Sequence, residues 1–436
     1  MEILLINVHF SEHKNSSLLN SSNYPSLTLR EIEAITPKNH TVDFIDGMRP
    51  GKINYNTNHD IIGISAVTPS AMYAYKIADK FRENKKTVVL GGYHASALPK
   101  EAKQHADSVV IGEAEGTWPH LLRDFEKGKL KSFYKNNKPV DLKTVPNPER
   151  KKFEKCNFIS VVKATRGCTV GCEFCSISHK THGNIFRKKP VEKVIADIKS
   201  FKEKFIFFAD PTMTIDVAYT KNLFKELAKL NKKIIYCQGN VNVLARDEEL
   251  LKIASDAGCI LWHVGFESIN QKTLSSIGKK TNKISDYKKA IQKINDYGMI
   301  LIGEFVFGFD NDTKNIFRQT KETIKDWNIM PGFQVLIPYP GSALFNRLES
   351  EGRILTRDWS KYTIWNAVFE PKNMNPSELE NGVADLYRDF YSISLTSKRI
   401  ISHLKYGFYP FMQAAIKNMG FFSLGSTINM ERFNKT

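Results

Sequence analysis

The chain has 436 residues, 42% hydrophobic and 25% charged, with 63 Lys and Arg against 46 Asp and Glu for a formal charge of +17. That length exceeds one small core and implies two domains plus an appendage, and the composition excludes a disordered or fibrous chain. No run of about 18 apolar residues occurs, which excludes a bilayer span, and six cysteines in so long a chain do not read as a disulfide framework.

In chain order, MEILLINV comes first. It is apolar but lacks a basic flank and a cleavage site, and polar HFSEHKNSS follows at once. It reads as a buried strand rather than a signal peptide, so a cytoplasmic location is expected. EILLINV, HTVDFID, DIIGISAV, KTVVLGG and DSVVIGE are five strand candidates, with amphipathic PSAMYAYKIADKFREN and TWPHLLRDFEKGK among them. Such runs predict an α/β, doubly wound, Rossmann-like domain over residues 1–127. Ligands dock at the carboxyl ends of such strands. Those ends are Ser65 with Ala66, 91-GGYHAS-96 and 112-GEAEG-116, which could equally be ordinary turns.

Residues 128–158 are basic, proline-punctuated and aperiodic, as a linker is. From Ile159 six further strand candidates begin at residues 159, 204, 233, 259, 299 and 332, and the first five precede helical patterns. They predict a partial (β/α)6 barrel over residues 159–345, with functional residues at strand C-terminal ends. Residues 346–436 pattern as helices. Their tail, SKRIISHLKYGFYPFMQAAIKNMGFF, mixes aromatics with lysines and fits a lid, a membrane-surface element or a helix packed on the barrel. The lysines are dispersed and no nucleic-acid signature accompanies them, so nucleic acid is not expected as a partner.

The chemistry concentrates in ATRGCTVGCEFCSIS, where Cys168, Cys172 and Cys175 follow C-x3-C-x2-C spacing. Zinc could take these three with His179 or His182. An iron–sulfur cluster could take them on three irons and leave the fourth open. A structural zinc staple is least needed on a large barrel, whereas an open iron at the top of its first strand is a binding position. Cys237 and Cys259 lie in apolar runs and read as buried structural thiols. Polar or glycine residues end the later strands: Asp210, Gln238, Glu267, then Gly308 with Asp310, then Pro338, Pro340 and Gly341. They are expected to point toward a shared mouth.

With Phe174 before the last cysteine, this spacing resembles the radical SAM signature. VVLGGYHASALPKEA, ADSVVIGEAEGTWPHLLRDF, ATRGC, GKK, IGEFVFGFDND, PYPGSALF and LESEGRI extend the likeness. Over most of residues 40–392 the chain is similar to cobalamin-binding radical SAM enzymes, in particular the anaerobic Mg-protoporphyrin cyclase and hopanoid-lipid enzyme group. The resemblance implies a [4Fe–4S] cluster on Cys168, Cys172 and Cys175. It implies S-adenosylmethionine at Phe174, Asp210, Gln238, Glu267 and Gly308, and cobalamin at Ser65, Gly91, Gly92, Tyr93, His94, Gly112 and Glu113. The implied reaction is reductive cleavage of S-adenosylmethionine and methylation of an unactivated carbon of a small-molecule or lipid substrate. Electrons would come from an external low-potential donor of the flavodoxin or ferredoxin type, and the C-terminal region could touch a membrane surface.

Three departures stand against it. The Asp-x-His-x-x-Gly motif that often supplies a lower cobalt ligand is missing, and His9 and His13 do not sit in one. YPSLTLREIEAI replaces the usual helix start, and Asp210 is followed by Pro211 rather than a second aspartate. Two rivals therefore stay open: a radical SAM cyclisation, rearrangement or oxidation without methyl transfer, and a non-catalytic iron–sulfur or cobalamin-sensing protein.

Overall fold

The computed structural model describes residues 1–8, 26–46, 53–150, 158–178 and 181–433. His9, His13, Cys156 and His179 lie outside the described residues. The first sheet comprises β1 (Glu2–Val8), β2 (Thr41–Asp46), β3 (Ile61–Ala66), β4 (Thr87–Gly91), β5 (Ser108–Ile111) and β6 (Phe133–Lys135). Its order is β2-β1-β3-β4-β5-β6, and every pairing is parallel. The strands read as unbroken apolar runs because both faces are covered. Ile3 and Leu5 pack with Trp118, Leu121 and Leu122 on one side, while Leu4 and Ile6 join Ala74, Ile77 and Phe81 on the other. β6 corrects the sequence reading, since it lies in the stretch expected to be a structureless linker.

The second sheet holds β7 (Ile159–Val162), then a short antiparallel pair, β8 (Thr165–Arg166) with β9 (Arg187–Lys188), stands off its first strand. β10 (Phe205–Phe208), β11 (Lys233–Gln238), β12 (Leu261–Glu267), β13 (Ile300–Phe307) and β14 (Met330–Val335) complete it. The strands are parallel and lie in chain order, β7 at one edge and β14 at the other. This is the partial (β/α)6 barrel, each strand followed by helix, the last by Ala343–Ser350. Buried Trp262, Phe266, Phe305 and Phe333 pack with Tyr287, Trp327 and Tyr387 of the surrounding segments.

The ion pair of Arg150 with Asp197 seats the incoming chain on the barrel. Arg150 Nε and a terminal nitrogen donate to the two Asp197 oxygens at 2.9 and 2.6 Å, and its other nitrogen donates to Val161 O at 3.0 Å. Beyond the barrel, helices Pro376–Phe390, Ile393–Ser402 and Phe408–Phe433 follow. The last packs on the barrel: Tyr409 accepts from Lys204 Nζ at 2.7 Å, and Phe421 meets the Tyr391 ring at 5.2 Å.

Candidate active site between the two halves

Strand order 2-1-3-4-5 reverses direction between β1 and β3, and a crevice opens outside the carboxyl ends at such a reversal. Here a cavity of about 680 Å³ opens there, within the range of small-molecule sites. Asn7, Ser65, Gly91, Gly92, Tyr93, Gly112 and Glu113 line its first wall. The facing wall comes from the barrel's upper end: Lys163, Thr165, Arg166, Ser176, Ile177, Pro211 and Tyr339. Among the described residues none beyond Pro340 lines it. Gly92 has φ +96°, and a Cβ there would meet Ala66 O at 2.6 Å. Only glycine fits that turn.

His94 corrects the sequence expectation, for it does not line the cavity. It is buried, with Nδ1 3.3 Å from Thr68 Oγ1 and Nε2 3.2 Å from Glu101 Oε1. Tyr75 and Trp359 donate to the same carboxylate at 2.9 and 2.8 Å. His94 therefore helps fasten residues 355–365 to the first domain.

The three cysteines follow β8 on a loop whose backbone is tied at several points. Cys168 N donates to Gly183 O at 2.8 Å, Glu173 N to Ile277 O at 3.0 Å, and Cys175 N to Cys172 O at 3.1 Å. Gly167 has φ +87°, and a Cβ there would fall 2.1 Å from Ile185 O. All three thiols are free. Burial pushes Cys172 up to about 12, so as a bare thiol it stays protonated. A thiolate there needs a compensating positive charge, which suits a metal-ligand trio. Among the described residues no three His, Cys, Asp or Glu side chains stand ready to share one metal ion. A cubane spreads its cysteines over three irons, so the donor set fits a cluster better than zinc.

Lys279 is a functional candidate that strand-end reasoning missed. It is largely but not fully enclosed, donates to Glu267 Oε1 at 2.8 Å, and acts electrostatically on Cys172 and Cys175. Its only signal was the GKK of the family likeness. Glu267 itself sits at φ +64°, turned to meet that ammonium.

The other strand-end residues differ in what they face. Phe174 packs edge-on to Phe309 at 5.8 Å, and Gln238 Nε2 donates to Tyr236 OH at 3.0 Å. Asp210, expected at the mouth, is buried and faces backbone instead. It accepts from Ala164 N at 3.1 Å, from Thr165 N, and from the Thr165 hydroxyl at 2.6 Å. Burial pushes it up to about 6 against the pull of those bonds. It therefore shapes the approach to the cysteine loop. Gly308 is likewise buried, with Leu379 and Phe369 over the position of its missing Cβ, and it donates to Asp312 at 3.1 Å. Asp310 is paired with Arg347 and Arg353 at 2.8 and 2.9 Å. Of the barrel strand-end residues named from the sequence, Pro340 lines the 680 Å³ cavity and the others do not.

Ion pairs lock the two walls together. Arg166 reaches Glu113 at 3.1 Å and Glu115 at 2.6 Å; Arg187 grips Glu113 at 2.8 Å; Lys163 reaches Glu31 at 2.8 Å. Three barrel cations thus hold three carboxylates of the first domain, beside the cysteine loop.

Taken with the sheet it faces, the cysteine loop defines a barrel enzyme built for a radical-generating iron–sulfur cluster beside a cobalamin-type domain. Residues 162–324 match the Radical SAM superfamily, and residues 24–122 match the B12 binding domain. Bacteriochlorophyllide d C-12(1)-methyltransferase of Chlorobaculum tepidum is 30% identical over 392 residues, covering 86% of this chain and 84% of that one. The anaerobic magnesium-protoporphyrin IX monomethyl ester cyclase of Rubrivivax gelatinosus is 26% identical, covering 76% and 66%. Among solved structures, the radical S-adenosylmethionine methyltransferase TsrM of Kitasatospora setae shares the fold, with a TM-score of 0.67 at 13% identity over 98% of this chain and 99% of that one. The chain belongs to the radical SAM enzymes that carry a B12 binding domain.

Glu113 makes the interdomain lock testable by pH. Burial alone would raise it, but Arg187, the Val140 N–H and Arg166 outweigh that and bring it from 4.5 to about 2. A depressed carboxylate contributes stability above its unfolded value and loses it as pH falls toward its folded one. Thermal unfolding of the wild type should therefore decline more steeply from about pH 4.5 toward 2 than that of Glu113→Gln. Parallel profiles would contradict this.

Proposed function

We propose that this enzyme methylates an unactivated carbon, with its cluster on Cys168, Cys172 and Cys175. Cobalamin would lie against Ser65, Gly91, Gly92, Tyr93, Gly112 and Glu113. The observation that carries the reading is the single cavity whose walls are the B12-type strand ends and the approach to the cysteine loop. When bound, these cofactors supply hydrogen abstraction and a methyl group, chemistry that no side chain can provide. The chain's own residues bind, orient and exclude water. Glu267, Gln238 and Phe174 would hold S-adenosylmethionine, with Lys279 as an added cation for its carboxylate. Asp210 and Gly308 act indirectly, by shaping the backbone that carries the loop and the barrel rim.

The relatives' names speak of a bacteriochlorophyllide and a magnesium-protoporphyrin. These names support a largely apolar small molecule or lipid as substrate. The excess of basic residues favours an acidic electron donor of the flavodoxin or ferredoxin type.

Anaerobically reconstituted enzyme with S-adenosylmethionine and reductant should form 5′-deoxyadenosine, and S-adenosylhomocysteine alongside it only when cobalamin is supplied. Cys172→Ala should lose both products together with its cluster absorbance. Deoxyadenosine without S-adenosylhomocysteine would select cyclisation or oxidation, and neither product would select the sensor reading.

Peripheral membrane contact is supported by one surface. Among the described residues no helix is long and apolar enough to cross a membrane. Phe408, Met412, Ile416 and Met419, three and four residues apart, nevertheless stay exposed along the final helix, and Ile393, Ile401 and Leu404 extend the patch. Lys398 and Lys405 flank it. An apolar stripe with basic neighbours suits an anionic bilayer surface. The protein should sediment with vesicles containing phosphatidylglycerol more than with pure phosphatidylcholine, and Phe408→Glu with Met412→Glu should weaken this roughly tenfold. Unchanged sedimentation, or dimerisation through the stripe without vesicle binding, would contradict it.

A further inference from the structure

Inside the barrel lies a polar cluster that the reading above leaves unused. His263 and Gly265 alternate onto one face of β12, and although the register shifts between Gly265 and Glu267, the Glu267 side chain returns to that same side. A Cβ on Gly265 would meet Glu267 Oε1 at 2.3 Å and Lys279 Nζ at 3.3 Å, so that glycine keeps the stretch between His263 and the Glu267–Lys279 pair free of side chain. His263 is in register with Gln238, the last residue of β11, and therefore stands level with that strand's carboxyl end.

Three neighbouring strands build the cluster. His263 Nε2 lies 3.1 Å from Glu304 Oε1 on β13, and Gln334 Nε2 on β14 donates to Glu304 Oε2 at 2.8 Å. A Cβ on Gly332 would fall 2.2 Å from the Glu304 carboxylate, so a glycine is what lets that carboxylate lie across β14. On the other side the Tyr236 ring stands 5.2 Å from His263, and Phe207 stacks on Tyr236 at 4.1 Å. On the final helix, Lys417 lies near enough for Glu304 to act on its amine, which burial holds below its ordinary range.

A carboxylate only accepts, so when the His263 ring holds one proton that proton sits on Nε2 and Nδ1 is left an acceptor. Nδ1 makes no hydrogen bond among the described residues. A chain of side chains that merely satisfied one another in a core would be closed off. Here the His263 and Glu304 side chains keep 20% and 13% of their surface accessible, between strands whose outward residues are fully buried. The pair opens onto space within the barrel, and neither residue lines the 680 Å³ cavity.

We propose that His263 Nδ1, oriented by Glu304 and Gln334, accepts a hydrogen bond from an N–H or O–H group of the substrate. The substrate class is thereby narrowed to aromatic or polycyclic molecules that carry such a donor, the body packing along the edges of Tyr236 and Phe207. This rests on the methyl-transfer reading and deepens it. A ligand lacking the donor leaves a desolvated acceptor unmatched, which is how a site rejects an otherwise similar molecule.

The test uses β-naphthol and its methyl ether, a pair differing in one O–H donor, titrated by fluorescence into anaerobically reconstituted holoenzyme. Wild type should bind the naphthol about tenfold more tightly than the ether. His263→Phe should bring the two to near equality. Glu304→Gln should do so as well, because Gln334 holds the new carbonyl oxygen and the amide then donates to Nε2, moving the imidazole proton to Nδ1. Circular dichroism and cluster absorbance confirm that each variant is folded and loaded. Equal binding of both probes by wild type, binding of neither, or a preference that survives both substitutions would overturn the assignment. Product formation by the wild type in the same preparation separates the two claims. Deoxyadenosine and S-adenosylhomocysteine without probe discrimination sink the subsite alone, and discrimination without those products sinks the activity alone.

Discussion

Three thiolates cannot saturate a four-iron cubane, and the rest of the molecule is organised around that shortfall. The loop bearing Cys168, Cys172 and Cys175 must be stiff enough to hold a cluster yet leave one corner accessible. Stiffness comes from backbone bonds to Gly183 and Ile277 and from Arg347, which holds Glu173 at 2.6 Å. Asp210 fixes the turn that feeds the loop, its acceptors taken by Ala164 and Thr165. Access comes from position: the loop follows the first barrel strand, at the end where this architecture gathers its chemistry.

The second half of the molecule supplies the other wall. A parallel sheet of order 2-1-3-4-5 has its crevice between β1 and β3, and the Arg166 and Arg187 contacts to Glu113 turn that crevice toward the barrel. Desolvated and multiply hydrogen-bonded, these pairs fix register between the halves more than they add stability. The arrangement lets a methyl-carrying cofactor and a radical-generating one address a common volume while the chain itself does little covalent chemistry.

Much of this was legible in the sequence, and the failures have physical causes. The long strands stood out because a sheet covered on both faces demands continuous apolar runs, and EILLINV or ILIGEFVF can hardly be anything else. β6 was hidden because a three-residue edge strand among lysines needs little hydrophobic burial to form. The cysteine count and spacing were legible directly, although by themselves they left zinc and a cluster both open. Side-chain direction was not legible. Asp210 follows its strand and His94 the turn after β4, as expected, yet Asp210 meets backbone 46 residues away and His94 meets Glu101, itself held by distant Trp359. Lys279 lies on no strand end, so only the fold brings it to the cysteines. His263 was concealed within GCILWHVGFE, an apolar run in which one imidazole reads as core.

The central claim is that one cavity brings the cluster and the cobalamin into mutual reach. It is tested most directly by electron paramagnetic resonance on enzyme loaded with both, poised so that the cluster is reduced and the cobalt is in its +2 state. The account predicts signals split or broadened by mutual spin coupling, relieved when either cofactor is left out. Two independent spectra that simply add would contradict it.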